Sequence, residues 1–234
     1  MHNKTIVEFI GVSGSGKTTL ASALFHRLSS CYTAVFPQRG EYRQIDLTFS
    51  RKLSIDLRYL PILFPYRLRR MIYEVEHTGF SLTAIRNGWA RSRYPAVFFD
   101  LSKGWDAGLF ILDEWLVHRT IDEDIHFYRT GFDYVRNFYL APLMHINSII
   151  FVRVEVDPKI AFQRILHDNQ PYRRFALNKN KALIRKILAE WEQDVAQVSA
   201  ALEAMQVPLF TINGSGPVDK NVEILMASLR QHIH

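Results

Sequence analysis

The chain has 234 residues, of which 48% are hydrophobic and 22% charged, and a formal net charge of +6. This length and apolar content support one domain with a full core and exclude intrinsic disorder. A single cysteine, Cys31, excludes a disulfide framework or a cysteine-rich zinc site and fits a reducing compartment.

The charge is uneven. Residues 39–103 hold twelve Lys/Arg against six Asp/Glu, and the rest of the chain carries seventeen of each, so the whole positive excess lies in one internal segment. An anionic partner is expected there.

The N-terminus runs directly into a strand-like stretch containing Glu8, so no secretory signal is expected. No apolar run approaches the roughly 20 residues that span a bilayer. The expectation is a cytoplasmic protein, with Cys31 as a small core residue.

"KTIVEFIG" (4–11) predicts a first strand. It feeds "GVSGSGKTTL" (11–20), which fits G-x-x-x-x-G-K-[ST] at Gly11, Gly16, Lys17 and Thr18. The residues from Lys17 onward place Leu20, Ala23, Leu24 and Leu28 at helical spacing. In a strand–loop–helix context, such a loop surrounds phosphate oxygens with backbone N–H groups. Gly11, Ser13, Gly14, Ser15, Gly16, Lys17, Thr18 and Thr19 are therefore the candidate ATP-binding set. Lys17 would reach the β and γ oxygens, and the Thr18 hydroxyl would face Mg²⁺.

"YTAVFP" (32–37) predicts a short second strand closed by proline. Residues 38 to about 103 read as a helical insertion. Within it, 51–73 mixes large apolar residues with five Arg and one Lys, and Pro61 and Pro65 argue against one long helix. The plain reading is a pair of helices whose apolar faces meet the core while the arginines stay wet. A basic wall for an acidic substrate and a patch for anionic lipid are the alternatives.

"GLFILDEW" (108–115) predicts a third strand ending in two carboxylates. Asp113 should sit at the carboxyl end of a central strand, beside the glycine loop, where a carboxylate orders the water shell of Mg²⁺. Glu114 is a candidate base or acceptor contact. "GFDYVRNFYLAPLM" predicts a helix up to Pro142, and "NSIIFVRVEVD" (147–157) a fourth strand.

"PKIAFQRILHD" predicts a helix with Pro158 in its first turn. Arg164 on this helix, with Arg173 and Arg174 in the polar loop "NQPYRRF", forms a candidate lid over about 164–178. Its guanidinium groups suit oxygens that gain charge in a phosphoryl transfer. A long amphipathic helix (179–205), a fifth strand (207–212) and a last helix behind "NGSG" complete the pattern.

Alternating strands and helices predict one α/β domain, a parallel sheet covered on both faces. The histidines show no metal-ligand spacing, and no nucleic-acid-binding module is recognisable. Trp89, Trp105, Trp115 and Tyr94 are candidates to stack on a base or sugar, or to fill the core.

On "GVSGSGKTTL", "PQRGEY", "VEVDPKIAFQRI" leading to "PYRRF", and "VPLFTING", the chain resembles the P-loop nucleoside and nucleotide kinases, thymidylate kinase-like enzymes most of all. The resemblance implies a three-layer α/β/α fold, a five-stranded parallel sheet in the order 2-3-1-4-5, and a mobile lid whose arginines clamp phosphates. Carried over residue by residue, Arg39 and Glu41 look like the Arg and Glu of the family's R-E-P element, the first contacting the acceptor and the second positioning or deprotonating it. Here Gly40 intervenes and no Pro follows. Thymidylate kinases have Asp-Arg at the end of strand three, and deoxynucleoside kinases Glu-Arg-Ser. This chain has Asp113-Glu114-Trp115, and its nearest downstream arginine is Arg119.

The expectation is a Mg²⁺- and ATP-dependent phosphotransferase acting on a small polar or anionic acceptor, a nucleoside or nucleoside monophosphate first. Lys17, Asp113, Arg164, Arg173, Arg174 and Glu41 would be catalytic. Arg39, Glu41, Glu114 and Arg119 would hold the acceptor, and Thr18 and Asp113 the metal. The alternatives are a kinase for a non-nucleotide hydroxyl (sugar, antibiotic or glycolipid) and a regulatory P-loop ATPase. A homodimer, peripheral membrane contact and GTP as donor stay open, and nucleic acid is not expected as a partner.

Overall fold

Short apolar strands buried on both faces are what a parallel sheet between two helical layers requires. In the computed structural model, which describes residues 5–36, 48–91, 100, 108–113, 148–167 and 180–233, five strands line up, the inner three buried along most of their length. The five are β1 (Thr5–Ile10), β2 (Ala34–Val35), β3 (Leu109–Leu112), β4 (Ser148–Glu155) and β5 (Leu209–Asn213). All neighbours pair in parallel, in the order β2-β3-β1-β4-β5. Four strands carry the sheet, and the two-residue β2 adds a narrow edge beyond β3. β1 is central. Its Glu8 pairs with Leu112 of β3 and Phe151 of β4, so Asp113, the next residue after Leu112, emerges at the carboxyl edge of the sheet.

The two-residue repeat of a strand divides β1 between two cores. Val7 and Phe9 join Leu20, Leu24, Val222 and Leu225, which come from α1 (Lys17–Leu28) and α7 (Val218–Leu229). Ile6 and Ile10 join Phe162, Ile165, Leu188 and Trp191, which come from α5 (Pro158–His167) and α6 (Lys181–Ala204). Each large aliphatic or aromatic side chain buried here contributes about 1.5–3 kcal/mol relative to an exposed one. The long helix α6 is started by Asn180, whose side-chain oxygen accepts from the N–H groups of Ala182 and Leu183.

Cys31 is exposed, not in the core. It lies just beyond α1, where the N–H groups of Ser29 and Tyr32 bond back to the carbonyls of Phe25 and Leu28 and reverse the chain at the surface.

Between β2 and β3 the insertion contains α2 (Phe49–Arg58), α3 (Leu60–Thr78) and α4 (Leu82–Arg91). The stretch 51–73 is two helices rather than one, with the break just before Pro61, but Pro65 lies inside α3 without interrupting it. Pro61 occupies the first turn, where no intrahelical N–H bond is due, and Pro65 gives up only the bond to the carbonyl of residue 61.

The wet-arginine expectation fails for two residues. Arg67 and Arg70 are fully buried, and so is Glu74. Arg67 Nη2 donates to Asp56 Oδ1 at 2.6 Å, Trp89 Nε1 donates to Asp56 Oδ2 at 3.1 Å, and the Arg67 guanidinium lies 4.5 Å over the Trp89 ring. Arg70 donates to Glu74 at 2.6 Å, and Arg58 to Asp100 at 2.5 Å. Part of the basic excess is therefore neutralised inside the insertion. Buried charges survive only when paired in this way.

Among the described residues no helix is long and apolar enough to cross a membrane. The helix expected before Pro142 and the loop expected to form the lid lie outside the described residues.

Candidate functional site

The glycine loop leaves β1 at Gly11 and enters α1 at Lys17, wound against β4 and α5. Gly11 and Gly14 have φ of +148° and +78°, and a Cβ at either position would stand 2.6 Å from the carbonyl oxygen of Val154 or of Ala161. Only glycine fits both the torsion and the space. Lys17 is buried, 3% exposed, and its Nζ turns back across the loop to donate to the carbonyls of Gly11 and Val12 at 2.8 and 2.9 Å. The Ser15 hydroxyl is buried with no hydrogen-bond partner among the described residues.

Across the sheet edge, Thr18 Oγ1 donates to Asp113 Oδ2 at 2.9 Å, and Asp113 is 1% exposed. A hydroxyl–carboxylate pair thus joins the first turn of α1 to the carboxyl end of β3.

Arg164 takes a different place from the one the lid reading gave it. Its Nη1 donates to the carbonyls of Gly14 and Ser15 at 3.2 and 3.3 Å, and its Nη2 to that of Gly214 at 3.1 Å. It fastens the glycine loop to the turn after β5. Beside this link opens a cavity of about 270 Å³, bordered by Gly16, Thr19, Arg164, Gly214 and Asn221. Asn221 holds the far rim through its Nδ2, which donates to the Asn213 carbonyl at 2.8 Å. A larger cavity, about 460 Å³, lies between α5 and α6 around Phe162, Arg185 and Leu188, and no glycine-loop residue borders it.

The residues present fit a triphosphate and Mg²⁺. A hydroxyl and a carboxylate supply the one or two protein oxygens that Mg²⁺ takes beside phosphate and water. A buried hydroxyl with no partner among the described residues, an ammonium that donates to two loop carbonyls, and the N-terminus of α1 all suit anionic oxygens. Among the described residues no group of three or more His, Cys, Asp or Glu converges as a metal cage.

The structure thus brings together Gly11, Gly14, Ser15, Gly16, Lys17, Thr18, Asp113 and Arg164, with Ser13 in the same loop and Thr19 at the cavity. Arg39, Glu41, Glu114, Arg119, Arg173 and Arg174 lie outside the described residues, as do Tyr94, Trp105 and Trp115. Trp89 belongs to the buried Asp56–Arg67 cluster. The turn 213–216 and Asn221 escaped the sequence reading. "NGSG" reads in the sequence as a break before the last helix and, within "VPLFTING", as part of the resemblance, with no role for the turn itself, because that role depends on β5 lying two strands from β1.

No protein-family model matches the sequence, and no curated protein matches it significantly. Solved structures do resemble it. One is a deoxyadenosine kinase from M. mycoides with the products dCMP and dCDP bound, with 15% identity over 97% of this chain and 99% of that one, and a TM-score of 0.52. Another, of deoxyadenosine kinase from M. mycoides with dCTP bound, gives 14% identity over 97% and 99%, and a TM-score of 0.53. The chain shares the overall fold of these structures.

Proposed function

We propose that the chain is a Mg²⁺- and ATP-dependent kinase that moves the γ-phosphoryl group to a nucleoside or nucleoside monophosphate. The observation that carries the reading is the Thr18–Asp113 pair standing beside a buried Lys17 at the end of a glycine loop. In this reading Lys17 exchanges its loop carbonyls for phosphate oxygens. Thr18 and Asp113 would hold the cation, which when bound would neutralise phosphate charge as it is transferred. Arg164 holds the loop rigid, and the cavity beside it takes the donor base.

The acceptor oxygen bonds to the γ phosphorus as the bond from that phosphorus to the β–γ bridging oxygen breaks. ADP leaves, and the acceptor proton, where there is one, passes to Glu41 or Glu114. Arg39 and Arg119 hold the acceptor, and Arg173 and Arg174 meet the charge that develops on the transferred group. That the similar structures are named as deoxyadenosine kinases supports an acceptor of the nucleoside class.

A second reading, transfer to a non-nucleotide hydroxyl, is favoured by one observation: Glu114 and Trp115 follow Asp113 where an arginine would grip an acceptor phosphate.

The test is to incubate the protein with ATP and Mg²⁺ against nucleosides, nucleoside monophosphates and sugars, reading ADP release and the mass of each acceptor. A gain of one phosphate on a nucleoside or nucleotide is the expected result. A gain on a sugar alone establishes the second reading. Substantial ATP turnover that none of the acceptors changes overturns both.

A further inference from the structure

The cavity of about 460 Å³ between α5 and α6 lies within the roughly 300–1,000 Å³ span of small-molecule sites, and no glycine-loop residue borders it. Phe162 and Leu188 give it a buried apolar floor, flanked by Pro158 and Ala189. Its charged lining residues are two exposed cations, Lys159 in the first turn of α5 and Arg185 in the second turn of α6.

Among the described residues neither cation faces an acid. The acids closest to them along the two helices are engaged elsewhere. Asp157 accepts from the main-chain N–H of Lys159 at 2.7 Å, Glu190 lies 3.7 Å from Lys186, and Glu192 accepts from Arg153 at 3.0 Å. The Arg185 guanidinium lies 4.7 Å over the Phe162 ring instead. That contact fixes the guanidinium at the cavity wall and leaves its N–H donors for an acceptor from outside.

We propose that this cavity binds a small aromatic anion, a planar ring carrying a carboxylate or a phosphate, and that the bound anion stiffens the glycine loop. Two cations without counter-charges beside an apolar floor select a ligand with an apolar body and a negative end. A ring suits the body better than an acyl chain, because a guanidinium stacks on aromatic faces and a ring loses little conformational freedom on binding. The negative end meets the Arg185 fork and the Lys159 ammonium, and Gln163 brings an amide donor and acceptor to the same cavity.

Helix α5 carries the effect to the loop. The Ala161 carbonyl and the Ile165 side chain close on Gly14, and Arg164 donates to the Gly14 and Ser15 carbonyls, while Phe162 and Gln163 line the cavity. A ligand wedged between α5 and α6 therefore restrains the helix on which the loop leans. That a restrained loop holds donor nucleotide more tightly rests on the kinase reading; the site itself does not.

The test is isothermal titration calorimetry of the full chain without nucleotide, so that its outcome is independent of that reading. Naphthoate or naphthyl phosphate should bind with a Kd on the order of 100 μM, and the tighter of the two identifies the head group. Arg185→Gln should weaken binding by about tenfold or more and Lys159→Gln by about threefold. Lys186→Gln removes the same charge one residue away, outside the cavity, and should leave binding unchanged. With the probe at saturation, amide exchange of the glycine loop should slow by about threefold or more.

The site is overturned if neither aromatic anion binds at about 10 mM, or if neutral naphthalenemethanol binds as well as the anions. Tighter binding of decanoate, or wild-type affinity in both Arg185→Gln and Lys159→Gln, overturns it equally. Loop exchange that saturation leaves unchanged overturns the coupling to the glycine loop.

Discussion

Thr18 and Asp113, 95 residues apart in the chain, meet through a single 2.9 Å hydrogen bond between α1 and the end of β3. If this pair holds the cation, its two halves fail differently. Thr18→Ser keeps the hydroxyl and should keep activity, whereas Asp113→Asn keeps the shape and loses the charge. Asp113→Asn should raise the Mg²⁺ needed for half-maximal rate about tenfold and lower turnover by about a hundredfold. A Mg²⁺ titration of the initial rate decides it. An unchanged Mg²⁺ dependence removes Asp113 from the metal site.

Lys17→Ala should lower turnover by about a thousandfold or more, because a buried ammonium on a phosphate acts where little water screens it. Lys17→Arg should not rescue, since a planar guanidinium does not fit a slot bounded by the Gly11 and Val12 carbonyls. Single-turnover transfer measures both variants, with circular dichroism as the fold control. Near-normal transfer by Lys17→Ala sinks the phosphate assignment.

Arg164→Met keeps the aliphatic stem and removes three hydrogen bonds to main-chain carbonyls. The loss should cost about 1–2 kcal/mol of stability, which a chain of this size registers as roughly 2–4 °C of Tm per kcal/mol. KM for ATP should rise while the rate at saturation falls little. Arg173→Ala and Arg174→Ala should do the reverse, lowering turnover more than ATP affinity, if the loop that carries them meets the transferred group. Steady-state kinetics on the three variants separates the roles.

Asp56→Ala leaves the Arg67 guanidinium buried without its 2.6 Å partner and should cost about 3–5 kcal/mol in urea unfolding. The joint change Asp56→Leu/Arg67→Met should recover most of that loss, since an apolar pair needs no desolvation. A double variant no more stable than Asp56→Ala would show that the cluster is anchored by Trp89 as much as by the ion pair.

Where these residues were legible in the sequence, local chemistry made them so. "LFIL" before Asp113 is buried by its own hydrophobicity, and a glycine loop between a strand and a helix has few other uses. Arg164 was legible as an important cation but not for what it holds, because its partners are main-chain carbonyls and carry no side-chain signature. The burial of Arg67 and Arg70 was hidden more deeply. Arg70 and Glu74 have the i,i+4 spacing of a solvated pair, and only Asp56 on α2 and Trp89 on α4 reveal which side of α3 faces inward. Pro65 misled for a related reason, since the roughly 3 kcal/mol an interior proline costs is offset where the helix is held by its neighbours.

The link from Arg164 to Gly14 spans 150 residues of chain, and β4, which follows the insertion in sequence, is the strand that flanks the glycine loop on one side. A chain still being synthesised therefore presents its glycine loop, with its own local hydrogen bonds, well before β4 and α5 exist to brace it. If the loop takes nucleotide, the braced site is complete only once β4 and α5 have joined the sheet, so binding should be coupled to completion of the fold. Donor nucleotide should then raise the free energy of global unfolding by its full binding term, and amide exchange should slow on every strand of the sheet together.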